Sequence, residues 1–181
     1  MDELKKDTLF YFSKSAHKKV GKGVNEFVNN FSDYKELDKI KDWRKVLSNF
    51  YVSPFTWRGK TWNTVEHAFQ SRKIELEDEK KSEWFTLESG HDIGKGDGNV
   101  ARKNRKLVVL SVKNIKEWNN IKFRVMEEIL YCKFSQNEFC KKVLLETKNA
   151  ELLHSFGRGM KPQRVYELEN VREILKNNIV S

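Results

Sequence analysis

A short stretch of the chain, WNTVEHAFQSRK at residues 62–73, gathers four side chains that could do chemistry together. They are the carboxylate of Glu66, the imidazole of His67, the amide of Gln70 and the amine of Lys73. On a helix, residues three and four positions apart lie on the same face. Glu66, Gln70 and Lys73 would therefore form one polar edge, with His67 beside it.

The local sequence predicts that this stretch is helical. The hydroxyl of Thr64 can accept a hydrogen bond from the first turn, and the charge of Glu66 suits the positive N-terminal end of the helix dipole. We predict that the helix runs from Val65 to about Leu76. Its apolar edge, which includes Ala68, should hold it to the core.

The spacing alone leaves two interpretations of the polar edge. It is typical of a solvated helix surface, where a contact between Glu66 and Gln70 would stabilise the helix by only ~0.2–0.5 kcal/mol. It also fits one side of a ligand site, because Phe50, Tyr51 and Trp62 precede the helix and aromatic residues commonly line such sites. A carboxylate half-buried among them would have a raised pKa, which suits an acid or base near neutral pH.

Few other residues have the setting of a nucleophile or a phosphate ligand. Lys14 follows the apolar run LFYF at residues 9–12, and a lysine at a strand end near aromatic rings can lose solvation and become nucleophilic. An ordinary surface lysine is the alternative. Arg158 and Arg164 lie in the basic segment GRGMKPQR and could clamp phosphates, unless that segment is simply an exposed loop.

The cysteine, histidine and glycine patterns do not match those of metal sites or phosphate-binding loops. Cys132 and Cys140 lack CxxC spacing and fall within apolar helical patterns, so we interpret them as small buried residues. The four histidines lack metal-ligand spacing, and we predict no metal. The glycine-rich GKGDGN at residues 94–99 lacks the GxxxxGK[ST] pattern of a phosphate loop, and we interpret it as a flexible surface loop.

The elements that must position these residues are mostly helical. Residues 32–45 predict a short amphipathic helix, and residues 121–134 repeat apolar side chains at helical spacing. Residues 149–154 indicate one further helical turn, and residues 166–178 a closing helix. We predict a single compact domain over residues 1–181 that is mainly α with a few short β-strands.

Strand signals are short and local. The apolar run at residues 9–12 predicts one strand. The aromatic and β-branched segment at residues 47–62 predicts two or three more, with a turn at Arg58-Gly59. LVVLSV at residues 107–112 fits either a buried strand or the interior of a helix.

The net charge of +9, from 35 basic and 26 acidic residues, favours an anionic partner such as a nucleotide or nucleic acid. Coding bias toward Lys and Asn is the alternative explanation. No run approaches the ~18 apolar residues of a membrane span, and the first residues form no apolar leader. We therefore expect a soluble protein that acts in the cytoplasm and binds no membrane.

The segment at residues 47–73 resembles the signature of the NADAR family, whose members are N-glycosidase-like proteins linked to NAD and ADP-ribose. That signature reads SNFY-x-x-PF and then G-K-x-W-x-T-x-E-H-x-x-Q-x-x-K. LFYFSKS at 9–15, YCKFSQN at 131–137 and LLETKNAELLH at 144–154 are weaker matches. The C-terminal HSFGRGMKPQRVYELENVR departs from the bacterial pattern of WG-x-G and then G-x-N-x-L-G, and it is similar to a large-virus variant. The signature is matched by Ser48, Asn49, Phe50, Tyr51, Gly59, Lys60, Trp62, Thr64, Glu66, His67, Gln70 and Lys73.

The resemblance implies a largely helical fold that cleaves an N-glycosidic bond at C1 of a ribose without a cofactor. It implies two substrate classes. One is ADP-ribose attached to guanine, in DNA, RNA or a nucleoside, and the other is the phosphoribosylamino-pyrimidine intermediates of riboflavin synthesis. A non-catalytic module that binds ADP-ribose or nucleic acid is the alternative from another functional class.

The resemblance also implies roles for individual residues. Glu66 is the catalytic carboxylate, and Lys14, by its position after FYF, is the lysine that would form a Schiff base with the ring-opened sugar. Core packing is the alternative role for Trp62. The residues predicted to bind substrate are Asn49, Phe50, Tyr51, Trp62, His67, Gln70, Lys73 and Arg158.

Overall fold

The computed structural model describes residues 5–157 and 159–180. The chain divides into two compact units. One unit contains the described residues up to Ser48 together with those from Glu138 onwards, and the other is Asn49–Asn137. Helices predominate in each unit, so the predicted mainly α fold with a few short strands is confirmed. The prediction that one domain covers the whole chain stays a prediction.

The first unit contains a three-stranded sheet. Strand β1 (Thr8–Tyr11) pairs in parallel with β4 (Glu151–His154), and β5 (Gln163–Arg164) runs antiparallel to β4. The strand predicted at residues 9–12 is therefore confirmed, although it begins one residue earlier.

The helical turn predicted at residues 149–154 is wrong, because β4 occupies most of this segment. Leu152 lies opposite Leu9 in the parallel register, and both side chains are fully buried. Pairing with a strand far away in sequence therefore decides the conformation, and it outweighs the local preference of Glu and Leu for helix.

The remaining elements of the first unit are helical. The single helix predicted at residues 32–45 is wrong, because the segment begins as a 3₁₀ turn at Phe31–Tyr34 and is interrupted at Asp42. Asp42 adopts a left-handed conformation with φ of 58°, which no continuous α-helix can contain. The helices are α1 (Lys35–Asp38), α2 (Trp43–Val46), α8 (Glu138–Glu146) and α9 (Tyr166–Val180).

The second unit begins with a β-hairpin of two short strands, β2 (Phe55–Trp57) and β3 (Lys60–Trp62). Its turn consists of Arg58 and Gly59, with φ values of 53° and 74°. Two successive positive φ values are typical of the type I′ turn, whose twist matches that of the paired strands. The predicted strands and the predicted Arg-Gly turn are confirmed.

A series of helices follows the hairpin. Four short helices precede a long one, α7. Among the described residues, no helix has both the length and the apolar character needed to cross a membrane. LVVLSV lies in neither a strand nor a helix interior, because Val109 is 88% exposed and α7 begins only after Ser111 caps it. The helices are α3 (Val65–Glu75), α4 (Glu79–Glu83), α5 (Asp92–Lys95), α6 (Gly98–Lys103) and α7 (Val112–Gln136).

The flexible surface loop predicted at residues 94–99 is wrong, because the segment forms parts of α5 and α6 and its glycines pack closely. Gly98 is buried, and a Cβ atom there would lie 2.4 Å from the Cα atom of Phe50. Asp97 begins α6 by accepting a hydrogen bond from the amide of Val100 at 3.0 Å. The absence of a side chain at Gly98 therefore lets α6 pack directly against the backbone of Phe50, just before the hairpin.

Candidate functional site

Helix α3 carries its polar edge inside the second unit and not on the surface. Thr64 caps the helix as predicted, because its side chain accepts a hydrogen bond from the amide of His67. Glu66 is only 4% exposed and Gln70 only 3% exposed. The interpretation of this edge as a solvated helix surface is therefore wrong for both residues.

Glu66 and Gln70 form a buried hydrogen-bonded pair. The amide nitrogen Nε2 of Gln70 donates to Oε1 of Glu66 at 2.8 Å. This orients the other amide atom, Oε1 of Gln70, away from the carboxylate, and no described residue donates a hydrogen bond to it. Burying an acceptor without a donor costs about 1–3 kcal/mol, so native proteins rarely leave one unsatisfied. A hydroxyl group of a ligand, or a water molecule, is the donor that such an atom requires.

An arginine side chain approaches the carboxylate of Glu66. Nη1 of Arg102, on α6, lies 3.6 Å from Oε1 of Glu66, and the Arg102 side chain is 51% exposed. Burial raises the pKa of Glu66 above its ordinary value of 4.5, while the hydrogen bond from Gln70 and the charge of Arg102 act against that rise. Glu66 is thus a buried carboxylate with a raised pKa, which is the property expected of an acid or base that works near neutral pH.

Lys73 extends the polar edge toward the segment that follows α6. Its Nζ donates to the backbone carbonyl of Arg105 at 2.8 Å. Burial lowers the pKa of Lys73, and the negative charge of Glu66 opposes that decrease. The structure therefore keeps Glu66, Gln70 and Lys73 on one edge, as the spacing predicts, and ties the last of them to the chain beyond α6.

His67 is fully buried beside this edge and uses both ring nitrogens within the protein. Nε2 lies 2.8 Å from the carbonyl oxygen of Ile93, which can only accept, so Nε2 carries the proton. Nδ1 then accepts from the hydroxyl of Thr64 at 2.8 Å. Burial lowers the pKa of His67 and favours this neutral form. The geometry supports a role in holding α3 to α5, and the predicted contact with substrate stays a prediction.

The segment before the hairpin is attached to the first turn of α3. The carbonyl of Asn49 accepts a hydrogen bond from the amide of Glu66 at 3.0 Å, and Phe50 and Tyr51 follow, each half-buried. Trp62 is different, because it is buried and its indole nitrogen donates to the carbonyl of Trp57 at 3.0 Å. The structure thus places the backbone of Asn49 next to Glu66, with Phe50 and Tyr51 following in the sequence. It gives Trp62 the surroundings of a core residue.

Two cations near this region were not among the predicted site residues. Arg102 approaches Glu66, and Lys133 on α7 is fully buried with its Nζ 5.5 Å from the centre of the Tyr51 ring. The weak family match at YCKFSQN contains Lys133 and could have drawn attention to it. No spacing rule could have found Arg102, because its contact with Glu66 depends on how α6 packs against α3.

The remaining predicted residues lie in the first unit or outside the described residues. Lys14 is exposed, in the turn that follows β1. Arg164 is bound by Glu151 and Glu169, each at 2.7 Å, so its guanidinium is paired within the unit. Arg158 lies outside the described residues. The predicted roles of Lys14 and Arg158 stay predictions.

Metal ligands and reactive thiols do not gather in the described parts of the chain. No group of three or more His, Cys, Asp or Glu side chains is placed there so as to hold a metal ion. Cys140 is buried and Cys132 is half-buried, and both are free thiols. Burial raises the pKa of the Cys132 thiol, which keeps it in its unreactive protonated form.

The sequence and the fold are similar to those of known proteins. The model of the NADAR domain family matches residues 14–158. N-glycosidase YbiA of Escherichia coli (strain K12) is 33% identical over 110 residues, and N-glycosidase YbiA of Shigella boydii serotype 4 is 31% identical over 110 residues. Each alignment covers 59% of this chain and 60% of the relative's length. The NMR structure of E. coli YbiA has a TM-score of 0.60 and 28% identity, covering 76% of this chain and 82% of that one.

Proposed function

The chain belongs to the NADAR domain family, and we propose on that basis that it is an N-glycosidase. Such an enzyme hydrolyses the bond between C1 of a ribose and a nitrogen of the attached base. The observation that carries the proposal is the buried pair of Glu66 and Gln70 within the family signature. This pair combines a carboxylate of raised pKa with an amide oxygen that lacks a donor among the described residues.

The chemistry of the reaction fits these two groups. When the bond from C1 to nitrogen breaks, the electron pair leaves with the base, and positive charge develops on the ribose ring. The Glu66 carboxylate would stabilise that charge or accept a proton from the water that attacks C1. The unsatisfied Oε1 of Gln70 would accept a hydrogen bond from that water or from a ribose hydroxyl. The leaving nitrogen takes up a proton, so the products are the free base and the sugar.

We further propose that the substrate is ADP-ribose attached to guanine, in nucleic acid or in a nucleoside. The net charge of +9 supports a substrate rich in phosphate over a small pyrimidine. Arg102 beside Glu66 supports it too, because a half-exposed guanidinium can bind phosphate oxygens in a bidentate manner.

The decisive experiment uses single-stranded DNA that carries ADP-ribosylated guanine, with released ADP-ribose measured by mass spectrometry. We expect wild type to release ADP-ribose and Glu66→Gln to be slower by about 10²–10³-fold, the usual loss when one stabilising group is removed. Glu75→Gln is the matched control. Glu75 lies on the same helix but is partly exposed and paired with Arg58 at 2.7 Å, so this variant should retain the wild-type rate.

Three other outcomes would change the conclusion in different ways. Turnover by Glu66→Gln within twofold of wild type would remove Glu66 from the mechanism. If the protein cleaves a phosphoribosylamino-pyrimidine but not the modified DNA, it is an N-glycosidase whose substrate is not ADP-ribosylated guanine. Tight ADP-ribose binding by calorimetry, with no turnover of any N-riboside, would identify a non-catalytic binding module.

The Schiff-base route can be tested without choosing the lysine in advance. Borohydride added during turnover reduces an imine to a stable amine, so a trapped sugar marks the lysine that formed it. Peptide mass mapping would then distinguish exposed Lys14 from buried Lys133. The absence of a trapped adduct during rapid turnover would leave direct attack by water, assisted by Glu66, as the mechanism.

A further inference from the structure

Most of the net positive charge of the chain is concentrated in one segment. Residues 102–124, here called the basic segment, contain eight Lys or Arg and a single acidic residue, Glu117. This gives a net charge of +7 within a chain whose total is +9. The basic segment therefore differs from the rest of the protein, where the two signs nearly cancel. Its cations are Arg102, Lys103, Arg105, Lys106, Lys113, Lys116, Lys122 and Arg124.

The basic segment begins at the candidate site. Arg102 lies 3.6 Å from the Glu66 carboxylate, and the carbonyl of Arg105 accepts a hydrogen bond from Lys73. The segment continues into α7, which packs against α3 through the rings of Trp118 and Phe69, 4.8 Å apart. The charge therefore extends from the proposed reaction centre along one continuous stretch of the second unit.

Cations and an aromatic ring share one exposed face of α7. Lys113, Lys116, Phe123 and Arg124 are all exposed, and their helical spacing places them on the same side, together with one acidic residue of the basic segment, the exposed Glu117. Phe123 is 64% exposed, which is unusual for a side chain that gains stability by burial. Trp118 and Val125 occupy the opposite, buried side.

Few of these cations are neutralised by the protein itself. Within the described ranges 5–157 and 159–180, the basic segment forms two ion pairs, Arg102 with Glu66 and Arg124 with Glu128. No carboxylate among the described residues pairs with Lys103, Lys106, Lys113 or Lys116. Exposed cations that the protein leaves unpaired, and that follow one another in sequence, attract an external polyanion.

We propose that the basic segment binds a single strand of nucleic acid whose modified base is presented to Glu66. This inference deepens the proposed function and rests on it, because it names the partner of the same site. The lysines would contact backbone phosphates, and a base would stack on Phe123, the combination used by proteins that bind single strands.

The size of the surface favours a strand over a free dinucleotide. Lys113 and Arg124 are separated by eleven residues of α7, or about 16 Å of helix. Each strand of a duplex advances ~3.4 Å per nucleotide and an extended single strand advances further, so this face would contact at most about five nucleotides. The two phosphates of a free ADP-ribose would use only a small part of it.

The binding test measures fluorescence anisotropy with an unmodified single-stranded oligonucleotide of about twelve nucleotides. We expect Lys113→Gln with Lys116→Gln to raise Kd about tenfold and to reduce the slope of log K against log salt by about 1.4, or ~0.7 per lost phosphate contact. Phe123→Ala should raise Kd by a similar factor with the salt slope unchanged. The matched control, Lys80→Gln with Lys81→Gln on α4, removes the same charge among acidic neighbours and should stay within twofold of wild type.

The outcomes separate this inference from the proposed function. The inference is overturned if wild type does not bind the oligonucleotide at physiological salt, or if the α4 control loses as much affinity as the α7 variant. The ratio of turnover on modified oligonucleotide to turnover on ADP-ribosylated guanosine should fall about tenfold in the α7 variant. If the ratio is unchanged and turnover is normal, the proposed nucleic-acid surface is rejected and the N-glycosidase proposal stands. If the oligonucleotide binds through the α7 lysines but no substrate is turned over, the binding surface stands and the N-glycosidase proposal is rejected.

Discussion

Two glutamate side chains that are buried in different units have very different surroundings. In the first unit, the Glu26 side chain is fully buried and Arg44 donates to both of its oxygens at 2.9 Å. The amides of Phe10 and Gly23 donate to the same carboxylate at 2.9 and 2.8 Å. In the second unit, Glu66 accepts one hydrogen bond from the described residues, donated by Gln70, and the Arg102 guanidinium lies 3.6 Å away.

This difference distinguishes a structural carboxylate, Glu26, from the carboxylate that we propose to act in the reaction, Glu66. Glu26 has enough partners to offset the cost of removing its charge from water, and its hydrogen bonds connect β1, the loop near Gly23 and α2. Glu66 lacks such partners, and the cost of its burial appears as a raised pKa. A protein retains an incompletely satisfied buried charge where a ligand or a reaction needs it. The partners of a buried carboxylate, and not its burial, therefore indicate its role.

The largest expected effect concerns the structural carboxylate. Glu26→Gln removes the negative charge and leaves the Arg44 guanidinium buried without its counter-ion. We expect the free energy of unfolding to fall by about 3–5 kcal/mol, as measured by urea denaturation. A loss below 1 kcal/mol would mean that Arg44 finds other partners, such as the carbonyls of Lys18 and Lys19 that it already contacts.

The same substitution at Glu66 should change the free energy of unfolding in the opposite direction. Glu66→Gln removes a charge whose burial is unfavourable, and the oxygen of the new amide can still accept the hydrogen bond from Nε2 of Gln70. We expect a gain in unfolding free energy of about 0.5–2 kcal/mol at pH 7, together with the loss of activity described above. A loss of stability at pH 7 would contradict the contrast between the two glutamates.

The pH dependence checks the cause of that gain. Because the pKa of Glu66 is raised in the folded state, wild type loses stability as pH rises from about 4.5 through the folded-state pKa. The advantage of Glu66→Gln should therefore be largest at neutral pH and shrink below pH 4.5, where folded and unfolded chains are both protonated. An advantage that is constant from pH 4 to pH 8 would point to packing and not to charge.

The smallest effect is expected at an exposed carboxylate. Glu75 lies at the other end of α3 and pairs with Arg58 at 2.7 Å and Arg72 at 3.1 Å, all partly exposed. Glu75→Gln should cost about 0–1 kcal/mol, and ~0.5 M salt should reduce this cost because exposed pairs are screened. A larger cost that resists salt would show that this pair is structural in spite of its exposure.

Local rules predicted the elements whose conformation is decided by a few neighbouring residues. Thr64 caps α3 because a hydroxyl at that position satisfies a free amide, and Arg58-Gly59 closes the hairpin because both residues adopt positive φ. The same rules failed where residues far away in the sequence decide the local conformation. The strand β4 depends on β1, and the glycines of α5 and α6 depend on the backbones that they touch.

The sequence predicted which residues of the candidate site share one helix edge, but it did not predict that this edge is buried. Spacing placed Glu66, Gln70 and Lys73 on one edge, but burial of that edge depends on α6 and α7, which no local pattern positions. The contact of Arg102 with Glu66 and the burial of Lys133 beside Tyr51 were missed for the same reason. Such contacts join elements that are separated by tens of residues in the sequence.

The close approach at Gly98 has a consequence for engineering this protein. Exchanging helix glycines for alanine is a common route to thermostable variants, and Gly98 at the start of α6 would be an obvious choice. Here the new methyl group would collide with the backbone of Phe50, whose neighbour Asn49 accepts the hydrogen bond from Glu66. A substitution made for heat resistance would thus shift the carboxylate assigned to the reaction, although Gly98 supplies no group to the proposed chemistry.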